Sequence, residues 1–269
     1  MHETERHRII LSAVQERPVV TVPDLCQLTD ASEATIRRDI AQLHVQKKLR
    51  RVRGGAEAIA PPSYVGINAR PFAVQEGMHA VEKRAIAKAA VELCEDGEAI
   101  IINGGTTTFQ MVHPLTTRRL QVFTNSFPIA EHLLKHTKNT VLLPAGAIYR
   151  EQNIILSPFH DDGSRHYYAN RMFMGCRGLG PLGLMEGDPL LIQAEQKLIG
   201  QADELIVLAD SSKFSQRSSL LLCPLSRIHT VITDDRIDDR AAAMLEAAEV
   251  RLIVAEVAAS DRKTRAQED

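Results

Sequence analysis

The run Asn103-Gly104-Gly105-Thr106-Thr107-Thr108 brings together two glycines, which let a backbone approach a ligand closely, and three hydroxyl donors. Followed by Phe109-Gln110-Met111-Val112, which reads as helical, it has the composition of a strand-to-helix turn whose amides and hydroxyls would hold a phosphate or a carboxylate. A capped turn with no ligand is the equal alternative for this loop taken alone. Further polar residues follow at intervals: Asn125, Gly146 and Arg150, Gly175 and Arg177, Asp188, Glu195 and Lys197, then Asp210 with Lys213. Asn125, Asp188, Glu195 and Asp210 suit hydrogen bonds to hydroxyl groups, and Arg177, Lys197 or Lys213 would neutralise an anion. A second concentration of chemistry is purely cationic. Between Glu33 and Arg53 stand seven basic residues, Arg37, Arg38, Lys47, Lys48, Arg50, Arg51 and Arg53, against two acids, a surface suited to a polyanion.

The elements that must carry these groups fall into two sets. At the N-terminus, Ile9, Ile10, Ala13 and Val14 recur at helical spacing until Pro18, Thr21 and Asp24 can cap a second helix, and Ser32 opens a third after the Thr29-Asp30-Ala31 turn. In that third helix Ile36, Ile40 and Leu43 form the inward stripe, which turns Arg37 and Arg38 elsewhere. Helix, tight turn and helix make a helix-turn-helix, whose second helix fits the major groove of DNA. Ser32 lies at its mouth, Glu33, Thr35 and Arg37 are the candidate base readers, and Arg38, Lys48, Arg50, Arg51 and Arg53 the candidate phosphate grips, the last four on a basic strand entering Gly54-Gly55. A solvated helical hairpin is the competing reading, and the order of caps, turn and basic wing weighs against it.

Beyond Ala56 the Pro- and Gly-bearing stretch 58–79 reads as a linker, and residues 80–257 as a larger domain. There, apolar runs at Ala99–Asn103, Leu120–Asn125, Thr140–Leu143, Arg171–Gly175, Glu204–Ala209, Thr230–Thr233 and Val250–Val254 alternate with helical text. Strands apolar on both faces predict an α/β domain with a mainly parallel sheet, and ligands of such sheets bind beyond the carboxyl ends of the strands, where the polar residues above are placed. The domain boundaries expected are therefore 1–57, 58–79, 80–257, and a polar tail at 258–269.

The text Thr35-Ile36-Arg37-Arg38-Asp39-Ile40, then Leu43, then Leu49-Arg50-Arg51-Val52-Arg53-Gly54-Gly55-Ala56 resembles the winged helix-turn-helix of the DeoR family of bacterial regulators, with Arg53 where that family commonly has His. The resemblance runs to about residue 255. It implies a sensor domain similar in fold to the ribose 5-phosphate isomerase group, with phosphorylated sugars as the usual ligands. Gly105, Thr106, Thr107 and Thr108 match the family's phosphate loop, Asn125 its TN turn, Gly146 its glycine turn, Glu195 and Lys197 its ExK helix, and Asp210 and Lys213 its DxSK motif. Ala145 departs from the usual glycine pair. Asn153 to Pro158 and Ala194 to Lys197 are most similar to the branch that includes the L-ascorbate utilisation repressor, which favours a phosphorylated sugar acid or polyol. The resemblance implies a repressor of a carbohydrate catabolic operon, modulated on operator DNA by such an effector and acting as a homo-oligomer, a dimer or tetramer. A sugar-phosphate isomerase or deaminase is the alternative, with Asp188, Glu195 and Lys213 as possible acids or bases.

Composition bounds these readings. With 269 residues, 44% of them hydrophobic, and a net charge of -2, the chain can bury an ordinary core, which excludes fibrous and disordered classes. The near-neutral sum hides an asymmetry, since residues 1 to 53 hold 10 basic and 7 acidic side chains. Cys26, Cys94, Cys176 and Cys223 form no CxxC pair, so neither disulfides nor a cysteine metal site is expected. His132 and His136, and the cluster His160, Asp161, Asp162 and His166, lack the partners of a metal motif, and no cofactor is expected. Met1 to Arg8 is charged and no apolar run approaches about 20 residues, so a cytoplasmic protein with no membrane partner is expected.

Overall fold

The computed structural model describes residues 2–16, 20–29, 31–57, 72, 77–158 and 161–257. Pro18, Asp30, most of the expected linker (58–71 and 73–76), His160 and the expected tail 258–269 lie outside them. The chain forms two compact units, Met1–Val65 and Gly66–Asp269, divided inside the span expected as linker.

In the first unit the order is α1 (Glu3–Glu16), β1 (Val20–Thr21), α2 (Val22–Thr29), α3 (Glu33–Val45), β2 (Arg50–Val52) and β3 (Gly55–Glu57). Thr21 and Asp24 cap α2 reciprocally, the Thr21 hydroxyl donating to Asp24 Oδ2 at 2.7 Å and accepting from the Asp24 N–H at 3.3 Å. Ser32 caps α3 by accepting from the Thr35 N–H at 3.3 Å. The apolar stripes of the three helices meet in one core of Ile10, Val14, Leu25, Ile36, Ile40 and Leu43, closed below by Leu49 and Ala56 of the wing. The wing is an antiparallel sheet in the order β1-β3-β2. One charged group sits inside this core. Asp39 is 3% exposed and accepts from Arg6 Nε at 2.7 Å and Arg6 Nη2 at 3.2 Å, with His7 Nε2 3.3 Å away, so it ties α1 to α3. Asp39→Ala should therefore remove the tie between α1 and α3 and lower the first unit's melting midpoint by on the order of 5 °C, as followed by circular dichroism. An unchanged midpoint would remove Asp39 from the fold's supports.

The second unit contains α4 (Ala80–Glu92), β4 (Ala99–Ile102), α5 (Thr106–Phe109), β5 (Gln121–Thr124), α6 (Phe127–His136), β6 (Thr140–Leu142), β7 (Ala147–Tyr149) and β8 (Ile154–Leu156). It continues with β9 (Ala169–Met174), β10 (Gly178–Gly180), β11 (Gly183–Glu186), α7 (Pro189–Ile199), β12 (Ala202–Leu208), β13 (Leu220–Cys223), β14 (Thr230–Asp234), α8 (Asp239–Ala247) and β15 (Arg251–Ala255). Seven strands make one sheet in the order β15-β14-β12-β9-β4-β5-β6, and every pairing in it is parallel. The central strands are apolar on both faces over most of their length because helices cover both, whereas the edge strands β6 and β15 are partly exposed. Ile101, Met172, Leu205 and Val207 face Leu198 of α7 and Leu245 of α8, whereas Ile100, Ile102, Phe173 and Ile206 face Ile86 and Ala90 of α4 and Leu133 of α6.

Two small antiparallel pieces lie outside the main sheet, the β7–β8 hairpin and a sheet in the order β10-β11-β13. Phe72, within the expected linker, is buried and packs edge-on against Phe109 with ring centroids 5.6 Å apart. Leu220, Leu221 and Leu222 belong to β13.

Candidate functional site

Sheet order dictates where a crevice opens. The chain runs from β4 outward through β5 to β6, then returns to lay β9 on the other flank of β4 and proceeds through β12. Connections leaving β4 and β9 thus diverge, which leaves a cleft beyond their carboxyl ends. A pocket of about 90 Å³ lies there, and it gathers Gly104, Gly105, Thr106 and Thr107 from the end of β4, Gly175 and Arg177 from the end of β9, Asp188 and Glu195 from α7, and Lys213 from beyond β12.

Its lining mixes charges. Arg177 and Lys213 stand with the loop at 104–107 and with the carboxyl groups of Glu186, Asp188 and Glu195, and Arg177 lies next to Glu186, its backbone N–H donating to the Met185 carbonyl at 3.1 Å. Asp188 is fixed as the N-cap of α7, accepting from the Leu190 N–H at 2.9 Å and from the Tyr149 hydroxyl at 3.2 Å. Glu195 is 4% exposed and its Oε1 accepts from Asn103 Nδ2 at 2.8 Å, while its Oε2 has no hydrogen-bond partner. Burial, reinforced by the Glu186 carboxylate, pushes Glu195 up to about 8 against the pull of Asn103. At neutral pH it is a neutral acid, able to donate. Burial also raises Glu186, and it pushes the Cys176 thiol up to about 12, which leaves that sulfur a poor nucleophile.

Several expected site residues stand elsewhere for identifiable reasons. Thr108 is buried and its hydroxyl donates to the Gly105 carbonyl at 3.0 Å, so it closes the loop from behind. Asn125 Oδ1 accepts from the Gly104 N–H at 2.8 Å and thereby positions the loop without lining the pocket. Gly146 serves packing, since a Cβ there would lie 2.4 Å from the Leu156 carbonyl oxygen across the β7–β8 hairpin. Arg150 is exposed on the hairpin turn, where Gln152 reaches the pocket instead. Lys197 is two residues from Glu195 on a helix, hence on another face, and sits 3.4 Å from Asp162. Asp210 caps the turn Ser211–Phe214 and lines a neighbouring cavity. The helical text expected at Phe109–Val112 forms as one α-helical turn, Thr106–Phe109, followed by a 3-10 turn at Gln110–Val112, too short for a sizeable helix dipole at the loop. Gln152, Ile154, Glu186, Gly187 and Leu191 were not foreseen as site residues. Asn103, which opens the glycine-threonine run, acts through its side-chain amide on Glu195.

In the first unit a cleft of about 580 Å³ between α3 and the wing is lined by Arg37, Ile40, His44, Arg51 and Arg53, with Gly54 and Gly55 at the wing's turn. Arg37 is exposed and pairs with Glu33 one helical turn earlier at 3.1 Å. Arg50 pairs across the wing with Glu57, so it is the most restrained of the expected phosphate grips. Arg38, Lys48, Arg51 and Arg53 are exposed, and no ion pair to another described residue holds them. His44 was not foreseen. Its Nδ1 lies 3.3 Å from the Leu49 carbonyl oxygen and 3.4 Å from the Arg51 N–H, which places it at the hinge of the wing.

His132 contacts the rings of His113 and His136, and among the described residues no group of three His, Cys, Asp or Glu side chains is arranged to hold a metal ion. Among the same residues no helix is long and apolar enough to cross a membrane.

Residues 6–61 match the DeoR-like helix-turn-helix domain and residues 78–235 the DeoR C terminal sensor domain. The HTH-type transcriptional regulators UlaR of Shigella dysenteriae serotype 1 (strain Sd197) and of Escherichia coli (strain K12 / DH10B) are each 34% identical over 255 residues, covering 94% of this chain and 99% of theirs. Among solved structures, ribose 5-phosphate isomerase A from Methanocaldococcus jannaschii is similar over 49% of this chain and 53% of its own at 20% identity and a TM-score of 0.38. The eIF2B beta of Chaetomium thermophilum is similar over 56% and 48% at 14% identity and a TM-score of 0.40. With both halves matched in order and relatives alike over nearly their whole length, the chain belongs to the DeoR family of helix-turn-helix transcriptional regulators.

Proposed function

We propose that the chain is a cytoplasmic repressor of a carbohydrate catabolic operon, assembled as a homodimer or homotetramer, whose second unit binds a phosphorylated sugar, sugar acid or polyol that modulates its hold on operator DNA. The observation that carries this reading is the pocket at the carboxyl ends of β4 and β9, which gathers Arg177, Lys213 and the Gly104–Thr107 loop with three carboxyl groups. An anionic group suits the two cations and the loop, and sugar hydroxyls, which both donate and accept, suit the carboxyl groups. In the first unit Arg37, Arg51 and Arg53 line a cleft of a shape and charge suited to a DNA backbone, with Ser32, Glu33, Thr35 and Arg38 at the end and flank of the helix entering the groove. A symmetric assembly would offer two such clefts to repeated half-sites.

The test is fluorescence anisotropy of the full chain on DNA from its own promoter region, at two salt concentrations, with and without a panel of sugar phosphates. Specific, salt-sensitive binding that one compound reverses or strengthens is the expected result, and specific binding that no compound alters would remove the sensor. Lys213→Ala and Thr107→Val should each leave operator affinity unchanged while weakening the effector response by roughly ten- to a hundredfold. A variant that still responds at the parent concentration would take that residue out of the pocket's function.

The isomerase or deaminase alternative has one observation in its favour, the Glu195 carboxyl near 8, a range that suits a general base. NMR of the protein with the same panel should show no product. Turnover that Glu195→Gln abolishes would reverse the ranking.

A further inference from the structure

His44 stands in the last turn of α3, on the wall of the cleft that Arg37, Arg51 and Arg53 also line. From it the chain turns directly into the wing. Lys47, in the left-handed region at a φ of +55°, donates its N–H to the His44 carbonyl at 2.9 Å, and β2 follows as the outer strand of the wing sheet. At the start of that strand two backbone groups meet one ring nitrogen, for His44 Nδ1 lies 3.3 Å from the Leu49 carbonyl oxygen and 3.4 Å from the Arg51 N–H. Those contacts exclude each other. A carbonyl needs a proton on Nδ1 and an amide N–H needs a bare lone pair, so imidazole protonated at Nε2 accepts from Arg51. Only imidazolium donates to Leu49 and still carries a proton on Nε2. The ring is exposed, and histidine is the side chain whose charge ordinarily changes between pH 5 and 8.

The charges around the ring are nearly all of one sign. On its own helix the carboxyl end of α3 favours the cation, while Arg37 on the same wall opposes it. Arg51 and Arg53 oppose it from the wing and Lys47 and Lys48 from the turn, and among the described residues that line the cleft none carries a carboxyl group. A DNA phosphate seated among the three arginines supplies the missing negative charge and a strong acceptor, which favours imidazolium over imidazole. We propose that His44 is a DNA-contacting residue that takes up a proton as the duplex binds, holding a backbone phosphate from Nε2 while Nδ1 donates to the Leu49 carbonyl and fixes the wing to α3. One proton per cleft is drawn from solvent on binding, so affinity for DNA of any sequence rises as pH falls through the histidine range. The inference rests on the cleft between α3 and the wing being the DNA-contacting face and is independent of the sensor.

Anisotropy titrations of the full chain at pH 6 and pH 8 and matched ionic strength test it, on a promoter-region duplex and on a duplex of unrelated sequence. The parent should bind both duplexes about fivefold or more tightly at pH 6, with a log–log salt slope steeper there by up to about 0.9 per cleft. His44→Gln, which keeps a polar side chain without the charge, should lose that pH difference. His44→Arg, charged at both pH values, should lose it as well and keep the steeper salt slope at pH 8. His2 and His7 of the same unit are common to all three proteins, so the difference between parent and variants reports His44 alone. Equal parent affinity at the two pH values overturns the proposal. So does a His44→Gln variant weakened by the same factor at both, the mark of a side chain that only holds the wing in place. The cleft reading stands or falls separately, on whether replacing Arg51 and Arg53 makes the salt dependence shallower.

Discussion

Glu195→Gln should remove a fall in stability that the parent protein shows between its ordinary glutamate range, near 4.5, and about pH 8. The sign follows from proton counting. The folded chain holds a proton on Glu195 up to about pH 8 that the unfolded chain releases near 4.5, so the native state binds more protons across this window. Stability then declines as pH rises through it, being fullest below 4.5 and lowest above 8. Glutamine keeps an oxygen to accept from Asn103 and offers N–H donors in place of the acid proton. Urea unfolding at pH 5, 7 and 9 should show the variant gaining on the parent as pH rises, by at most a few kcal/mol at pH 9. A residual slope from Glu186, which burial also raises, is expected in both proteins. Parallel loss of stability in the two would mean that Glu195 ionises normally in the fold.

The second large effect belongs to the wing. Removing the charges of Arg51 and Arg53 together should make the dependence of log affinity on log salt shallower by about 1.8 and cost on the order of a hundredfold in affinity near 0.1 M salt, uniformly across DNA sequences. Arg50→Ala should cost less than either, because its guanidinium is already engaged by Glu57. Anisotropy titrations over a salt series give both numbers. An unchanged slope in the double variant would move the DNA contact off the cleft.

Much of this architecture was legible because one physical signal carries it. Strands covered on both faces must be continuously apolar, and Ala99–Ile102, Met172–Met174 and Leu205–Leu208 read so, whereas Asn170, Arg171, Asp203 and Glu204 at the starts of β9 and β12 do not. Caps were legible for the same kind of reason, since Thr21 with Asp24 and Ser32 with Thr35 act over three residues. In the small sheet β10-β11-β13, Leu220–Leu222 of β13 read as a core or subunit strand, but β10 and β11 were not legible. Those two are three or four residues long and carry glycine, which strand propensity disfavours, and Gly183 is glycine because its φ is +126° and a Cβ would lie 2.1 Å from the Cys223 carbonyl oxygen. Missing those strands hid Glu186, which ends β11 and lines the pocket beside Arg177. Lys197 shows the opposite case. Two residues two positions apart read as a pair on the page, but helical rotation sends Glu195 inward and Lys197 toward Asp162.

The place of β9 beside β4 also bears on how the chain is made. Ala99–Ile102 is an apolar segment at the middle of the finished sheet, yet the strand that covers its second edge ends at Met174, 72 residues later. At roughly 5 to 20 residues per second, a ribosome leaves that edge open for about 4 to 14 s after Ile102 is added. During that interval the half-sheet of β4, β5 and β6 presents the unpaired backbone groups and the isoleucines of β4 at its open edge, the combination that invites pairing with another nascent chain. The strand that completes the crevice beyond β4 is therefore also the one whose arrival ends the chain's most aggregation-prone period.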